Sequence, residues 1–273
     1  MHMRTAQVAN EVHNLFYERK RTARQRSMKN DSHEVIIFDL QKNLPMPNLT
    51  TNDVCNRRQL SLYSFKIHTL STGPVFYCYP ETEGRKSSDE VTAFLHCFIF
   101  NLLDPEVKDI EHFYDGCARQ NRNYIVLRFL HYVVHAARRL VPIKLTFPVR
   151  SQSYVECDRN MALIKHKYPA ELPEHWVECS HEAMSLPVSV NEALLISWTQ
   201  NLTSLYTKTW PIATWPLTEV VFSVQHPRFI KHRSTYNGTW ETAVMVSQKS
   251  LLTQIKELQL HSGEFLLLEK RYQ

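Results

Sequence analysis

The sequence lacks the short motifs that mark the commonest nucleophile, nucleotide and zinc sites. It contains no GxSxG, no P-loop and no GxGxxG. These absences exclude the usual signatures of an α/β hydrolase, a P-loop NTPase and a dinucleotide-binding domain. The cysteines include no CxxC pair, so neither a zinc module nor a compact disulfide framework is indicated, and we expect reduced thiols. They are Cys55, Cys78, Cys97, Cys117, Cys157 and Cys179.

Long apolar runs are also missing. The N-terminal segment "MHMRTAQVANEV" has no apolar core of the kind found in signal peptides. The longest apolar stretch, residues 91–103, is interrupted by His96 and Asn101, and it is shorter than the roughly 20 residues of a membrane-spanning helix. We therefore expect a protein of the nucleus or cytoplasm that is not secreted and has no membrane partner.

Basic residues are concentrated near the N-terminus. The chain carries 32 Lys and Arg against 27 Asp and Glu, a formal net charge of +5, which permits a polyanionic partner. The segment "ERKRTARQRSMK" follows apolar residues at helical spacing, so we predict an N-terminal basic helix over residues 1–30. Two interpretations stay open: a solvated helix face, or an arm that contacts phosphates or directs nuclear import.

The apolar patterns predict an initial group of strands, then helices and strands in alternation. With 43% apolar residues in 273, the chain can form a sizeable core. The pattern predicts strands at 35–40, 59–69, 74–80, 108–115 and 143–149, a helix opened by Ser87 and Glu90, a helix over 123–140, and a third helix opened by "ECDRNMALIKHK".

This order, β-β-β-α-β-α-β-α, predicts an α/β fold with a ribonuclease H-like mixed sheet over residues 31–168. The first strands are joined by short connections and should run antiparallel. The later strands are joined by helices and should run parallel. Residues 169–273 carry weaker patterns, including helical ones at 191–206 and a strand in "EVVFSVQ", and are predicted to form a C-terminal α+β extension.

Three aspartates stand where ligand sites gather in such sheets. Asp39 and Asp115 each end a predicted strand, and Asp158 lies in the first turn of the third predicted helix. Close carboxylates repel unless a cation neutralises them, and oxygen ligands suit Mg²⁺ or Mn²⁺. We therefore predict that these residues hold Mg²⁺ or Mn²⁺, with two ions about 4 Å apart serving phosphodiester displacement. Glu90 and Glu81 are candidate further ligands.

Local roles remain as alternatives for each of these residues. Aspartate is favoured at strand ends, turns and helix N-termini without any ligand. Glu90 fits a capping box with Ser87, and Glu81 fits a solvated loop. Among other chemistries, His131 and His135 have the i, i+4 spacing of a metal pair, although no HExxH motif accompanies them, and Cys117 has no placed base.

Several segments together resemble a transposon-associated domain of unknown function that is repeated in animal genomes. They are "FDLQKNLPMPNL", "RQLSLYSFKIH", "YPETEGRKSSDEV", "YDGCARQNRN", "FPVRSQSYVECDRN" and "RSTYNGTW". The resemblance covers roughly residues 10–265. It implies a ribonuclease H-like transposase or integrase with a carboxylate triad at Asp39, Asp115 and Asp158. The chain departs from the family pattern at Arg119, in place of a small residue, and at Gln152, where the family has histidine.

These observations predict metal-dependent hydrolysis or strand transfer at DNA phosphodiesters. Asp39 would bridge the ions, Asp115 and Asp158 would each complete one site, and Glu90 would assist. The alternative is a catalytically inactive remnant that binds nucleic acid or protein, and a third is a structural scaffold. DNA is the expected partner, and the prediction also allows a homo-oligomer.

Overall fold

The computed structural model describes most of the first 149 residues and parts of the remainder. The described residues are 2–40, 44–46, 60–114, 123–149, 186–189, 196–203, 205–207, 209, 211–212 and 217–246. Asp115, Cys117 and Asp158 lie outside these ranges, as does the predicted helix around Asp158. Their predicted roles therefore stay predictions.

Within the described residues the chain forms four α-helices and ten strands. The helices are α1 His2–Ser27, α2 Ser88–Cys97, α3 Tyr124–His135 and α4 Trp198–Thr203. The strands are β1 His33–Leu40, β2 Leu44–Met46, β3 Leu60–Thr69, β4 Gly73–Pro80, β5 Asp109–Phe113, β6 Ile143–Thr146, β7 Leu186–Ser189, β8 Glu219–Phe222, β9 Phe229–Arg233 and β10 Glu241–Val244.

All ten of these strands belong to one mixed sheet. Its order is β10-β9-β8-β6-β5-β1-β3-β4-β7, and β2 pairs with β3 outside this path. The β1–β3 and β3–β4 pairs are antiparallel, whereas β1–β5 and β5–β6 are parallel. The predicted α/β class, with an antiparallel meander followed by parallel strands, is confirmed.

A tight turn joins β3 to β4, as the short "LSTG" segment predicts. Gly73 has φ of +95°, a conformation that side chains other than glycine's rarely allow. The Thr69 hydroxyl donates to the Gly73 carbonyl at 2.8 Å and accepts from the Thr72 amide at 3.3 Å. The turn thus satisfies its own polar groups and holds the register of the hairpin.

Helix α2 begins at the predicted capping box. The Ser87 hydroxyl caps the first turn and the Glu90 carboxylate binds back to the Ser87 amide. After Cys97 the chain continues through one π-helical turn, Phe98–Leu102. The apolar face of α2 packs on the meander, where Phe94 stacks on Tyr77 with 4.7 Å between ring centroids.

Helices cover both faces of the sheet. Alternate residues of a strand point to opposite faces. Ile36 and Phe38 of β1 join the large core that contains residues of α2 and α3. Val35 and Ile37 join a smaller core with Phe16 of α1. We call these the α2/α3 face and the α1 face.

The C-terminal strands extend the same sheet at both sides. Strand β8 pairs antiparallel with β6, and β7 pairs parallel with β4. The "EVVF" strand is confirmed, and helix α4 occupies residues 198–203 of the segment predicted as helical. The patterns did not indicate β7, β9 or β10. The predicted domain boundary at 168/169 falls outside the described residues and stays a prediction.

None of the helices in the described part of the chain has both the length and the apolar character that crossing a bilayer requires.

Candidate functional site

Asp39 lies near the carboxyl end of the central strand β1. Every residue of this strand is buried, and Asp39 itself is only 9% exposed. Two positions before it, Ile37 belongs to the core on the α1 face. Strand alternation therefore directs Asp39 to the α1 face. The carboxylate is carried by one of the most rigid positions that a sheet offers.

The parallel pairing of β1 with β5 sets a constant offset between the two strands. His33 pairs with Asp109 and Ile36 pairs with His112, an offset of 76 residues in both cases (112 minus 36). Asp39 and Asp115 are separated by the same 76 residues (115 minus 39). Phe113, two positions before Asp115, belongs to the core on the α1 face, as Ile37 does.

A buried lysine stands opposite Asp39 on the other neighbouring strand. Asp39 of β1 pairs with Lys66 of β3 in the antiparallel register. Side chains of such a pair share a face, with Cβ atoms about 5 Å apart. Lys66 is completely buried, and its Nζ lies 5.2 Å from the ring centroid of Phe76. The site thus combines a buried carboxylate with an adjacent buried cation.

The importance of Lys66 was not predicted from the sequence. Its neighbours Phe65 and Ile67 are both fully buried on the α2/α3 face. A lysine between two apolar residues of a strand is typical of a half-exposed sheet, where the charged side faces water. The helix α1 that covers this face comes from before β1, and nothing local in "SFKIH" indicates the cover.

A second polar cluster on the α1 face surrounds Glu219 of β8, which is completely buried. Arg233 of β9 donates to Glu219 Oε2 from Nε at 2.5 Å and also from its NH2 group. Lys144 Nζ and Arg19 Nε lie 3.6 Å and 3.4 Å from Oε1. Three cations among the described residues therefore compensate one buried carboxylate.

Glu111 of β5 forms a neighbouring set of contacts. Arg26 of α1 donates to its Oε1 at 2.5 Å, and Lys144 Nζ lies 3.3 Å from Oε2. His33 Nε2 is 3.8 Å from Oε1. Lys144 thus links Glu111 with Glu219, and both glutamates bind a basic residue of α1. These contacts fasten α1 to the sheet beside Asp39.

The structure divides the basic residues of α1 and the turn after it between two environments. Arg19 and Arg26 contact buried glutamates, so they are not part of a simple solvated face. In contrast, Arg21, Arg24 and Lys29 are exposed. The exposed residues remain available to an anionic partner, and the inward ones stabilise the fold.

The candidate ligand Glu90 has a local role in the structure. Its Oε1 accepts a hydrogen bond from the Arg85 amide at 2.9 Å. Its Oε2 accepts from the Ser87 amide at 3.1 Å and from the Ser87 hydroxyl. Both carboxylate oxygens thus serve the start of α2, and a catalytic role for Glu90 stays a prediction. Glu81 lies in the turn after β4, where its amide donates to the Ser61 carbonyl at 2.9 Å.

His112 of β5 is a second buried polar residue near the predicted site that the sequence did not single out. Its ring stacks on Phe38 with 4.0 Å between centroids and lies 3.8 Å from the ring of Tyr114. Burial holds the pKa of His112 well below its ordinary value, so the imidazole is neutral at pH 7. Its pairing with Ile36 puts it on the α2/α3 face, opposite to Asp39.

The described residues contain no group of three or more His, Cys, Asp or Glu side chains placed to hold a metal ion. Of the three predicted aspartates, only Asp39 lies in the described ranges. Its environment suits a metal ligand in one respect, since a carboxylate oxygen on a rigid strand is a donor that Mg²⁺ prefers.

Comparisons with known proteins give one similarity to a solved structure. The chain is similar to the MID-PIWI domains of the N. crassa QDE-2 AGO protein, with 14% sequence identity and a TM-score of 0.25. The similarity covers 56% of this chain and 43% of that one. No protein-family model and no curated protein matches the sequence.

Proposed function

We propose that the protein has a ribonuclease H-like fold and is a metal-dependent DNA phosphodiester hydrolase or strand transferase derived from a transposon. The fold assignment is supported by the strand order β4-β3-β1-β5-β6. In that order an antiparallel meander is followed by two parallel strands that are reached through helices. This is the arrangement that the order of the sequence patterns predicts.

The observation that carries the proposed site is the register between β1 and β5. Extending this register two positions beyond Phe113 brings position 115 opposite Asp39, because both pairs have the offset of 76. The same extension keeps position 115 on the α1 face, two residues after Phe113. In the proposal, Asp39 and Asp115 are therefore neighbours on one face at one edge of the sheet.

Asp39, Asp115 and Asp158 are the proposed ligands of Mg²⁺ or Mn²⁺. When bound, the metal would lower the pKa of an attacking water and stabilise the negative charge that develops on the phosphate. Asp39 contributes a ligand oxygen whose position is fixed by pairing on both sides of β1. Lys66 contributes a positive charge beside that carboxylate, which limits the repulsion between neighbouring carboxylates when no metal is bound.

Nucleic acid is the proposed partner, and α1 offers the contacts. Arg21 and Arg24, with Lys29 just beyond the helix, are exposed, while Arg19 and Arg26 tie the same helix to the sheet. Cations held on a fixed helix bind the phosphate backbone without reading its sequence. Binding through such contacts weakens steeply as salt increases.

Nicking of supercoiled DNA in Mg²⁺ tests the proposed activity. Asp39→Asn should abolish nicking, because the amide keeps the shape but not the charge of the ligand. Asp31→Asn is the matched control, since Asp31 is exposed in the turn before β1. Circular dichroism and urea unfolding establish that both variants are folded. Nicking by folded Asp39→Asn at the wild-type rate would contradict the proposal.

A second candidate function is that of an inactive nucleic-acid-binding remnant. Lys66 favours it, because a buried ammonium beside Asp39 can neutralise the carboxylate without any metal. Under this hypothesis the wild-type protein binds DNA in a salt-dependent way through α1 and shows no nicking with Mg²⁺ or Mn²⁺. Binding lost in an Arg21→Ala/Arg24→Ala variant, with no nicking by the wild type, would select the remnant over the enzyme.

A further inference from the structure

The histidine pair of α3 lies in the protein interior, away from the proposed carboxylate site. His131 and His135 are one helical turn apart and their ring centroids are separated by 4.2 Å. His131 is completely buried and His135 is 8% exposed. Side chains four residues apart in a helix lie on one face. The two imidazoles are therefore adjacent, and the second reaches the edge of the solvent.

Each imidazole has a nitrogen that the surrounding residues do not satisfy. Neither His131 Nε2 nor His135 Nε2 has a hydrogen-bond partner among the residues that the structure describes. Native proteins rarely leave a buried polar atom unpaired, because its lost hydration is not recovered. Two such atoms on touching rings indicate that a ligand of both is missing from the description of the site.

The other nitrogen of His131 is held in the way that metal-binding histidines usually are. His131 Nδ1 lies 3.0 Å from the hydroxyl of Tyr206. When Nδ1–H donates to this oxygen, the Nε2 lone pair is free to bind a metal, and a ligating histidine almost always has such a partner on its second nitrogen. Tyr206 is buried and its ring packs edge-on against His131, with centroids 5.5 Å apart.

The protonation state of the pair also suits metal binding. Burial lowers the pKa of His131 and lowers the pKa of His135 to about 4. Both rings are therefore neutral at pH 7, the form that coordinates metals. A metal would not have to displace a proton from either ring.

We propose that His131 and His135 form a binding site for a transition-metal ion that imidazole ligands suit, such as Zn²⁺, with Tyr206 as a positioning residue for His131. This site is separate from the proposed Mg²⁺ site because its donors are nitrogen atoms on a helix rather than carboxylate oxygens at a strand end. Water or other donor atoms fill the remaining coordination positions on the exposed side of His135.

Zinc titration of the chelator-treated full chain tests the proposal. Wild-type protein should bind one Zn²⁺ at this site in calorimetry and show a higher melting temperature with Zn²⁺ but not with equal Mg²⁺. His135→Leu should raise the Kd at least tenfold and remove the zinc-dependent shift. It should melt no lower than wild type without zinc, because leucine removes an unsatisfied polar atom. His226→Ala, at an exposed histidine of the β8–β9 turn, should bind zinc as wild type does.

Two further variants separate a metal site from a structural role. Tyr206→Phe keeps the packing and removes the partner of His131 Nδ1, so the Kd for zinc should rise about tenfold. Asp39→Asn should leave zinc binding unchanged, since it alters only the carboxylate site. Absence of zinc binding by the wild type, or equal zinc affinity in folded His135→Leu, would overturn the proposal.

Discussion

Asp39 of β1 stands directly opposite Lys66 of β3, and both side chains are buried on the α1 face of the sheet. A charge removed from water is stabilised mainly by an opposite charge close to it, so loss of one partner leaves the other uncompensated. We therefore expect Lys66→Met to lower the free energy of unfolding by about 3 kcal/mol at pH 7, measured by urea denaturation. Methionine keeps most of the aliphatic volume, so the loss reports the charge.

A double-mutant cycle distinguishes coupling from simple loss of packing. Asp39→Asn in the Lys66→Met background should cost less than Asp39→Asn alone, with an interaction energy of about 1 kcal/mol or more. Strictly additive effects of the two substitutions would show that the register neighbours do not interact electrostatically.

Glu219 should be the strongest single anchor of α1. It is completely buried and is contacted by Arg19, Lys144 and Arg233. Glu219→Gln removes the charge that these cations share, so we expect a loss of about 3 kcal/mol in urea denaturation. Glu18→Gln is the matched control because Glu18 is exposed on the same helix, and it should change stability by less than about 0.5 kcal/mol. Equal stability of the two variants would contradict an anchoring role.

His112 should make the fold less stable in acid. Its folded-state pKa is depressed by burial, so below pH 6.5 the unfolded chain takes up a proton that the folded chain does not. Stability conferred by the neutral ring is thus complete above pH 6.5 and falls as pH decreases. His112→Phe, which keeps the stacking on Phe38, should gain on wild type by about 1.4 kcal/mol per pH unit below 6.5. His226→Ala provides the comparison, and parallel pH curves for His112→Phe and wild type would refute this effect.

The parts of the fold that the sequence predicts are those in which local patterns decide the structure. The apolar run 35–38 predicts a buried strand, and the "LSTG" turn predicts the hairpin of β3 and β4. Ser87 and Glu90 predict the start of α2 because the capping box acts within four residues. Strands β9 and β10 were missed because they are short, and "FIKHR" and "ETAV" have little apolar alternation.

The candidate site depends on pairing between distant segments, which the patterns do not contain. Asp39 is recognisable as an acidic residue after a buried strand. Lys66 becomes its neighbour only through the register of β1 and β3. Likewise, the contact of Arg19 with Glu219 joins residues 200 positions apart. No local rule identifies which basic residues of α1 point inward, because its cations are spread around the helix.

Glu90 provides a test of whether an acidic residue in this region acts on stability or on chemistry. Both of its carboxylate oxygens accept hydrogen bonds at the start of α2. Glu90→Gln keeps one acceptor oxygen, so we expect a loss of about 1 kcal/mol in urea denaturation, similar to that of Ser87→Ala, which removes the other half of the capping box. If Glu90 only caps the helix, Mg²⁺-dependent nicking measured well below the melting temperature should be equal in the two variants. A much lower rate in Glu90→Gln than in Ser87→Ala, at equal stability, would instead assign the carboxylate a role in the reaction, because the substitutions share every effect on the helix start except the loss of the negative charge.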